Sequence, residues 1–235
     1  NVADLVPVWS FSTGVNSGHE APAIVNDGVM FVTTPGNQVI AIDARTGDLI
    51  WLYEHEMPED VIGFHYTNRG VALFGDKVFM ATLDARIVAL DAATGEVVWS
   101  ESVADNSSGY YMTLAPLTAR GKVMVGVSGG ELGIRGFVVA LDTETGEEVW
   151  RTHTVPSPGE PGSESWQGDA WQTGGAAVWL TGHYDPELGL TYWGTGNPGP
   201  WMGDVRPGDN LYSNSVVALN VDTGELVGHH QYHWN

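Results

Sequence analysis

The chain has 235 residues, of which 43% are apolar; this length can bury a sizeable core, and without a run of about 18 apolar residues no transmembrane helix is predicted. Acidic residues outnumber basic ones 29 to 9, the formal charge is −20, and Lys77 and Lys122 are the only lysines, which argues against a nucleic-acid partner because phosphate contacts need Lys and Arg. No cysteine is present, so disulfides and thiolate metal sites are excluded.

In chain order, four apolar strands are predicted, each upstream of a repeated segment. The strands span 29–33, 77–82, 122–127 and 190–193. The repeats are VIAIDARTGDLIW (39–51), IVALDAATGEVVW (87–99), VVALDTETGEEVW (138–150) and VVALNVDTGELVG (216–228). Because no amphipathic helical stretch occurs and the repeat length is about 50 residues, the pattern predicts an all-β protein built from propeller blades.

Each repeat predicts a strand, a tight turn and a second strand. The first strand ends at Asp or Asn, whose short side chain can hold the turn through local backbone hydrogen bonds. The glycine that follows can adopt the positive φ that such a turn requires. These turn glycines, Gly47, Gly95, Gly146 and Gly224, are spaced by 48, 51 and 78 residues, and the longest interval holds an insertion rich in Gly, Pro and Trp at about 155–201.

Three of the repeats carry a tryptophan four residues after the turn glycine. Trp51, Trp99 and Trp150 are predicted to fill the gaps between neighbouring blades, and Gly228 stands where a fourth Trp is expected. Four blades of this type do not easily close a ring, and an open half-ring exposes an apolar blade face. We therefore expect this polypeptide, a single partial propeller domain over 1–235, to be one piece of a larger propeller or assembly.

The segment YDPELGLTYWGTGNPGPW (184–201) predicts two short strands around a turn and then a tight loop. The loop places Asn197 between Gly196 and Pro198, among too many backbone breakers for a strand to continue. The flanking glycines and prolines are expected to hold this loop in one shape.

Five segments between the repeats resemble, in order, the dehydrogenases that use pyrroloquinoline quinone to oxidise alcohols. They are GHEAPAIV (18–25), TNRGVAL (67–73), MTLAPL (112–117), SGGELGIRG (128–136) and the 184–201 segment, and together they extend over almost the whole chain. The resemblance implies an eight-bladed propeller that holds the quinone near its axis, beside a calcium or lanthanide ion. This chain would supply about four of those blades.

The resemblance also implies which side chains bind the metal and the quinone. Glu131 would be a carboxylate ligand of the ion and Asn197 a ligand through its side-chain carbonyl, which are oxygen donors that hard cations prefer. Trp179 would be the flat floor under the quinone ring, and Arg69 would reach the quinone oxygens, where a fixed cation favours developing negative charge. The residues expected to bond the cofactor rim are Glu20, Thr113, Ser128, Gly129 and Gly130.

Each of these residues has a plainer interpretation. Glu131 can be a solvated loop carboxylate, Asn197 a turn former, Trp179 a core residue and Arg69 a surface cation, and Glu20 follows His19 on what can be a solvated face. A cluster of three histidines near the chain end, His229, His230 and His233, also suggests a metal site. The resembled family has no metal site at this position.

The sequence departs from the resembled family in two places. Many members have two adjacent cysteines that form a disulfide against the quinone, whereas this chain has Gly63 and Phe64 there, so Phe64 or His65 is expected to cover the cofactor instead. The family's catalytic aspartate is expected shortly beyond Asn235, so the polypeptide as given is expected to be inactive. It begins at Asn1 without Met or a signal peptide, and an upstream segment is expected to have been removed or left out.

Three functions are compatible with these features. The first is a quinone-dependent dehydrogenase for a small alcohol that passes electrons to a cytochrome c in the periplasm. The second is a non-catalytic propeller that acts as a binding or scaffold protein in the cell envelope, which needs neither Glu131 nor the Asn197 loop. The third is a degenerate homologue that keeps the site loops but binds another ligand, for which the missing cysteine pair is the main support.

Overall fold

The computed structural model describes residues 2–233, and regular structure in this range consists of sixteen strands and six short 3₁₀ turns. Blade 1 contains β1 (Ile24–Asn26), β2 (Val29–Thr34), β3 (Gln38–Asp43) and β4 (Leu49–Glu54); blade 2 contains β5 (Val71–Phe74), β6 (Lys77–Ala81), β7 (Arg86–Asp91) and β8 (Val97–Ser102). Blade 3 contains β9 (Leu117–Ala119), β10 (Lys122–Gly126), β11 (Phe137–Asp142) and β12 (Glu148–His153); blade 4 contains β13 (His183–Asp185), β14 (Leu190–Gly194), β15 (Ser215–Asn220) and β16 (Leu226–Gln231).

The 3₁₀ turns are Val2–Asp4, Asn106–Ser108, Gly130–Leu132, Ser163–Ser165, Ala170–Thr173 and Gly203–Val205. Within the described range, no helix has the length and apolar character needed to cross a bilayer.

Every blade is an antiparallel sheet whose four strands pair in chain order. The strand–turn–strand units predicted from the repeats are confirmed as β3–β4, β7–β8, β11–β12 and β15–β16. The innermost strands β1, β5 and β9 were not predicted. They contain only three or four residues each, too few to show an alternating pattern.

The repeat turns have the predicted geometry. In blade 1, the Asp43 Oδ1 atom accepts hydrogen bonds from the backbone N–H groups of Arg45 and Thr46, at 2.8 and 3.0 Å. Gly47 follows at φ 79°, in the left-handed region that favours glycine. The Asp or Asn of each other repeat makes the same pair of bonds, so the turn is set locally.

The predicted tryptophans lie between blades. The Trp51 indole N–H donates to the Ala92 carbonyl of blade 2 at 3.1 Å, and the ring lies against Gly95 of the same turn. Trp99 and Trp150 repeat this contact on blades 3 and 4. Trp9, which the sequence did not single out, does the same to blade 1, donating to the Ala44 carbonyl at 3.2 Å with its ring against Gly47.

The apolar core lies mainly between adjacent sheets. One cluster of buried side chains joins blades 1 and 2, and a larger one continues through blades 2, 3 and 4. Trp193 of β14, which is fully buried, belongs to the larger cluster. The blades therefore form a continuous packed unit on which loops can be held in fixed positions.

The insertion predicted at 155–201 is divided in the structure. The extra chain length forms two loops, 154–182 before β13 and 195–214 between β14 and β15, with the β13–β14 hairpin between them. Because the strands alternate in direction, the connections that enter each blade and the loops between its second and third strands lie at the same edge. The candidate site residues all belong to these connections, on the face opposite the Thr-Gly turns.

Candidate cofactor and metal site

A cavity of about 380 Å³ opens among the loops of this face. Its lining comes from all four blades and consists of Glu20, His65, Arg69, Tyr111, Thr113, Ser128, Gly129, Glu131, Ala177, Trp179 and Asn197. Eight of the nine predicted site residues are in this group. The ninth, Gly130, lines two adjoining cavities together with Glu131. The structure thus brings together residues separated by up to 177 positions in the sequence, while their roles toward a cofactor stay predictions.

Arg69 is held in the cavity wall from three sides. One guanidinium nitrogen donates to the Thr113 hydroxyl at 2.7 Å, and the other pairs with the Glu20 carboxylate at 2.9 Å. The guanidinium carbon lies 5.2 Å from the centre of the Trp179 ring, a cation–π distance. Only 22% of the Arg69 side chain is exposed, so this arginine is not a free surface cation.

Thr113 and Ser128 form the polar back wall of the cavity. Both residues are 3% exposed, and their hydroxyl oxygens lie 3.3 Å apart. The Thr113 hydroxyl also donates to the Trp179 carbonyl at 3.4 Å. Ser128 is fixed through its backbone N–H, which donates to the Tyr111 carbonyl at 2.7 Å. Two hydroxyls with fixed positions can therefore meet polar atoms of a bound molecule.

Trp179 is not a core residue, because 43% of it is exposed. It follows the segment 174–177, which is joined to the Asn197 loop by backbone hydrogen bonds. The Asn197 carbonyl accepts from the Ala176 N–H at 2.9 Å, and the Gly196 N–H donates to the Ala177 carbonyl at 2.8 Å. These bonds fix the position of Asn197 relative to the indole ring.

Glu131 is presented by a turn that only glycine permits. Gly129 has φ 108°, and a Cβ there would lie 2.1 Å from the Gly109 carbonyl oxygen. The chain then makes the 3₁₀ turn Gly130–Leu132, which exposes the Glu131 side chain to the cavity. The negative charge of Glu131 acts on Tyr111, whose pKa is raised chiefly by burial and secondly by this carboxylate.

The oxygen donors of this cavity fit a hard cation. Within residues 2–233, the Glu131 carboxylate and the Asn197 side-chain amide make no hydrogen bond or ion pair, although both face the same space. A carboxylate and a neutral amide oxygen are ligands that calcium-like ions accept. With a flat exposed ring, a fixed cation and two hydroxyls beside them, the residues fit a planar anionic cofactor bound next to a metal ion.

At the missing cysteine pair, the structure separates the two expected substitutes. Gly63 packs toward Leu83 and Tyr111, and Phe64 is 59% exposed and does not line the cavity. His65 does line it. Tyr111 was not predicted as a site residue; its position directly before the MTLAPL segment was the available indication.

The three histidines near the chain end do not form a common site. His229 and His230 are adjacent on β16, so their side chains point to opposite faces. The His229 ring stacks edge-on against Tyr212 with centroids 4.6 Å apart, and the His230 ring against Tyr232 at 5.0 Å. In the part of the chain that the structure describes, no group of three or more His, Asp or Glu side chains is placed to hold a metal ion.

The family model described as "PQQ: Glucose/ethanol/alcohol dehydrogenase, beta-propeller domain" matches residues 1–233. The chain belongs to the quinoprotein alcohol dehydrogenase family. The predicted fold is confirmed with it, since the four antiparallel sheets are blades of the quinoprotein propeller type. The family's cofactor is pyrroloquinoline quinone, so this is the molecule that the cavity is expected to accommodate.

Two solved quinoprotein structures and one curated relative show how far the similarity extends. Quinoprotein alcohol dehydrogenase PedH of Pseudomonas putida is 46% identical, over 98% of this chain and 42% of its own length. A europium-containing methanol dehydrogenase superposes with a TM-score of 0.95 at 37% identity, over 100% of this chain and 45% of its own. The quinohemoprotein alcohol dehydrogenase of Comamonas testosteroni superposes with a TM-score of 0.90 at 40% identity, over 100% of this chain and 38% of its own. The chain described here thus spans less than half the length of each of these relatives.

Proposed function

We propose that this chain forms part of a dehydrogenase that oxidises a small alcohol with pyrroloquinoline quinone bound beside a metal ion. The observation that carries the proposal is the convergence of Glu131 and Asn197, both without protein partners among residues 2–233, on the cavity that also holds Arg69 and Trp179. Membership of the quinoprotein family supports this function over a scaffold role, because a scaffold needs no such set of residues.

In this proposal, each group of the cavity has one task. Glu131 and Asn197 hold the ion, calcium or a lanthanide, and leave part of its positive charge for the carboxylates of the cofactor. Trp179 supplies a flat apolar surface, and Arg69 keeps a positive charge where negative charge develops during reduction. The Thr113 and Ser128 hydroxyls bond the rim, together with Glu20 and the backbone of Gly129 and Gly130.

When bound, the quinone supplies the acceptor for two electrons and the ion supplies a Lewis acid. The residues of this chain bind, orient and polarise; we assign no general base among residues 2–233. We propose that electrons leave to a cytochrome c in the periplasm, for which a formal charge of −20 offers a surface attractive to a basic partner.

The test is a titration of the complete, metal-free gene product with pyrroloquinoline quinone, in the presence of Ca²⁺, La³⁺ or a chelator. We expect tight binding with at least one of the ions and little with the chelator. Glu131→Ala and Asn197→Ala should each raise the ion concentration needed for half-maximal quinone binding at least tenfold. Glu187→Ala, which removes an exposed carboxylate of the β13–β14 turn, should leave that concentration unchanged.

Two further measurements address the remaining parts. Alcohol-dependent reduction of an artificial electron acceptor by the loaded protein tests the dehydrogenase reaction, and cell fractionation tests the periplasmic location. Binding of quinone that ignores both ions, or a Glu131→Ala variant that behaves like Glu187→Ala, would rule out the proposed metal site.

A further inference from the structure

One segment of the cavity wall has no role in the function proposed above. Residues 62–65 lie within the connection from blade 1 to blade 2 (55–70), and a side chain from another loop holds their backbone. The Asn106 side chain accepts a hydrogen bond from the Ile62 N–H at 2.8 Å and donates one to the Ile62 carbonyl at 2.9 Å. The same amide donates to the Leu83 carbonyl at 3.1 Å. A loop that carries exposed aromatic rings is thereby anchored at its start.

Tyr111 anchors the middle of the same segment. It is 3% exposed, and its ring packs against Gly63. Beyond this segment, the Arg69 N–H donates to the Thr113 carbonyl at 3.1 Å, which holds the chain shortly before β5 begins. Between these anchors, the His65 side chain faces the cavity while its neighbours Phe64 and Tyr66 are 59% and 57% exposed.

His65 and Trp179 approach the cavity from different blades. His65 precedes β5 of blade 2, Trp179 precedes β13 of blade 4, and Thr113 and Ser128 of blade 3 lie between them along the chain and at the back of the cavity. A flat ligand lying on the Trp179 ring has its second face free for another ring of the cavity lining. His65 is the exposed ring of blade 2 in that lining, whereas Tyr111, which also lines the cavity, is 3% exposed.

We propose that the imidazole of His65 stacks on the face of the bound quinone opposite Trp179, held there by Asn106 and Tyr111. This inference rests on the proposed function. His65 would then be a cofactor-binding residue, with a planar polar ring at the end of an anchored segment. The chain has no cysteine that could form a disulfide on this face.

The experiment compares quinone binding by variants of the complete gene product, followed through quenching of tryptophan fluorescence in the presence of the ion that supports binding. His65→Ala removes the ring and should weaken binding about threefold to tenfold, the range of an aromatic contact. His65→Phe retains a flat ring and should bind within about twofold of the unmodified protein. Tyr66→Ala removes an exposed neighbouring ring outside the cavity and should have no effect.

A second measurement does not depend on affinity. Diethyl pyrocarbonate modifies accessible imidazoles, and mass spectrometry locates the adducts. His65 is exposed in this structure and should react, and quinone should protect it. His230 on β16 is also exposed and lies outside the cavity lining, so it should react with or without quinone.

The outcomes separate the two proposals. Quinone binding that is unchanged in His65→Ala, or that leaves His65 fully reactive, overturns the stacking role and leaves the proposed function intact. If the unmodified protein binds no quinone with either ion, both proposals fail. Loss of binding in His65→Phe to the level of His65→Ala would show that a flat ring is not what His65 contributes.

Discussion

The ring of Trp51 occupies the space in which a side chain at Gly95 would lie: a Cβ built on Gly95 falls 2.6 Å from the indole. Gly95 belongs to blade 2 and Trp51 to blade 1, so a single missing methyl group permits the contact between the two sheets. The Trp51 N–H adds a hydrogen bond to the carbonyl of Ala92, three residues before Gly95 in the same turn.

Gly95→Ala should therefore destabilise the protein more than its backbone conformation alone explains. Gly95 and Gly121 have φ 75° and 72°, but nothing lies within 4 Å of a Cβ at Gly121. Both substitutions should cost about 1 kcal/mol of unfolding free energy from the left-handed backbone. Gly95→Ala should cost about 1–3 kcal/mol more from overpacking against the indole. Equal shifts of the denaturant midpoint in the two variants would contradict this account.

Gly129→Ala should weaken the proposed metal binding, although it removes neither of the two proposed ligands. The new methyl group would meet the Gly109 carbonyl at 2.1 Å and must displace the turn that presents Glu131. Gly133→Ala, at the other end of that turn, also has a positive φ, but its nearest neighbour would lie 3.9 Å away. In a calcium or lanthanum titration of the complete gene product, we expect the affinity for the ion to fall at least tenfold in Gly129→Ala and by less in Gly133→Ala. The reverse order would show that the turn does not position Glu131.

Asn106→Ala should loosen residues 62–65. The substitution leaves the Ile62 N–H and the Ile62 and Tyr110 carbonyls without their side-chain partner, at a cost of about 2 kcal/mol or more. Hydrogen exchange at the amides of 62–65 should accelerate. Ser108→Ala, at an exposed position of the same 3₁₀ turn, is the control. Unchanged exchange in Asn106→Ala would mean that the segment is fixed by Tyr111 alone.

Stability should fall as the pH is lowered through the weakly acidic range, because of His153. Burial, with the nearby charges of Arg135 and Arg151, lowers the pKa of His153 to about 4 from 6.5. Between these values the unfolded chain binds more protons than the folded protein. The free energy of unfolding therefore decreases as the pH falls from about 6.5 to about 4, and His153 contributes no further decrease below pH 4.

The two pKa values bound the His153 effect at about 3.5 kcal/mol, since one pKa unit corresponds to about 1.4 kcal/mol. Because His153 is only partly buried and solvent screens the nearby charges, we expect about 2–3 kcal/mol. His153→Gln has no titrating ring and should flatten the dependence of the unfolding midpoint on pH in this window. His230→Gln, at an exposed position, should not. A His153→Gln profile that is parallel to that of the unmodified protein would locate the acid sensitivity elsewhere.

The repeats predicted most of the sheet, because turn and strand are set by neighbouring residues: Asp43 bonds the two N–H groups that follow it, and Gly47 supplies the positive φ. The short inner strands were missed because they depend on pairing with β2, β6 and β10 rather than on their own pattern. Trp9 was missed for a similar reason, since its contact with Ala44 is 35 residues distant and no repeat surrounds it.

For the site, sequence motifs indicated which residues to examine but not how they are held. The candidate residues came from a resemblance, and the structure shows how two of them are held, through the hydrogen bonds of Arg69 to Thr113 and of the Asn197 backbone to Ala176. The participation of Tyr111 required knowledge of how the loops before β5 and β9 approach each other. Neither a short motif nor a hydrophobic pattern contains that information.

The indole contacts between blades are heterologous: blades 1, 2 and 3 each offer a tryptophan on one side and a glycine turn on the other. Units joined in this head-to-tail manner either close into a ring or extend into a filament. Here the turn of blade 1 is already occupied by Trp9, and blade 4 has Gly228 at the position from which an indole would project. Gly228 cannot supply the indole that continues this pattern, so a neighbour packed against β16 of blade 4 must be held there by other contacts.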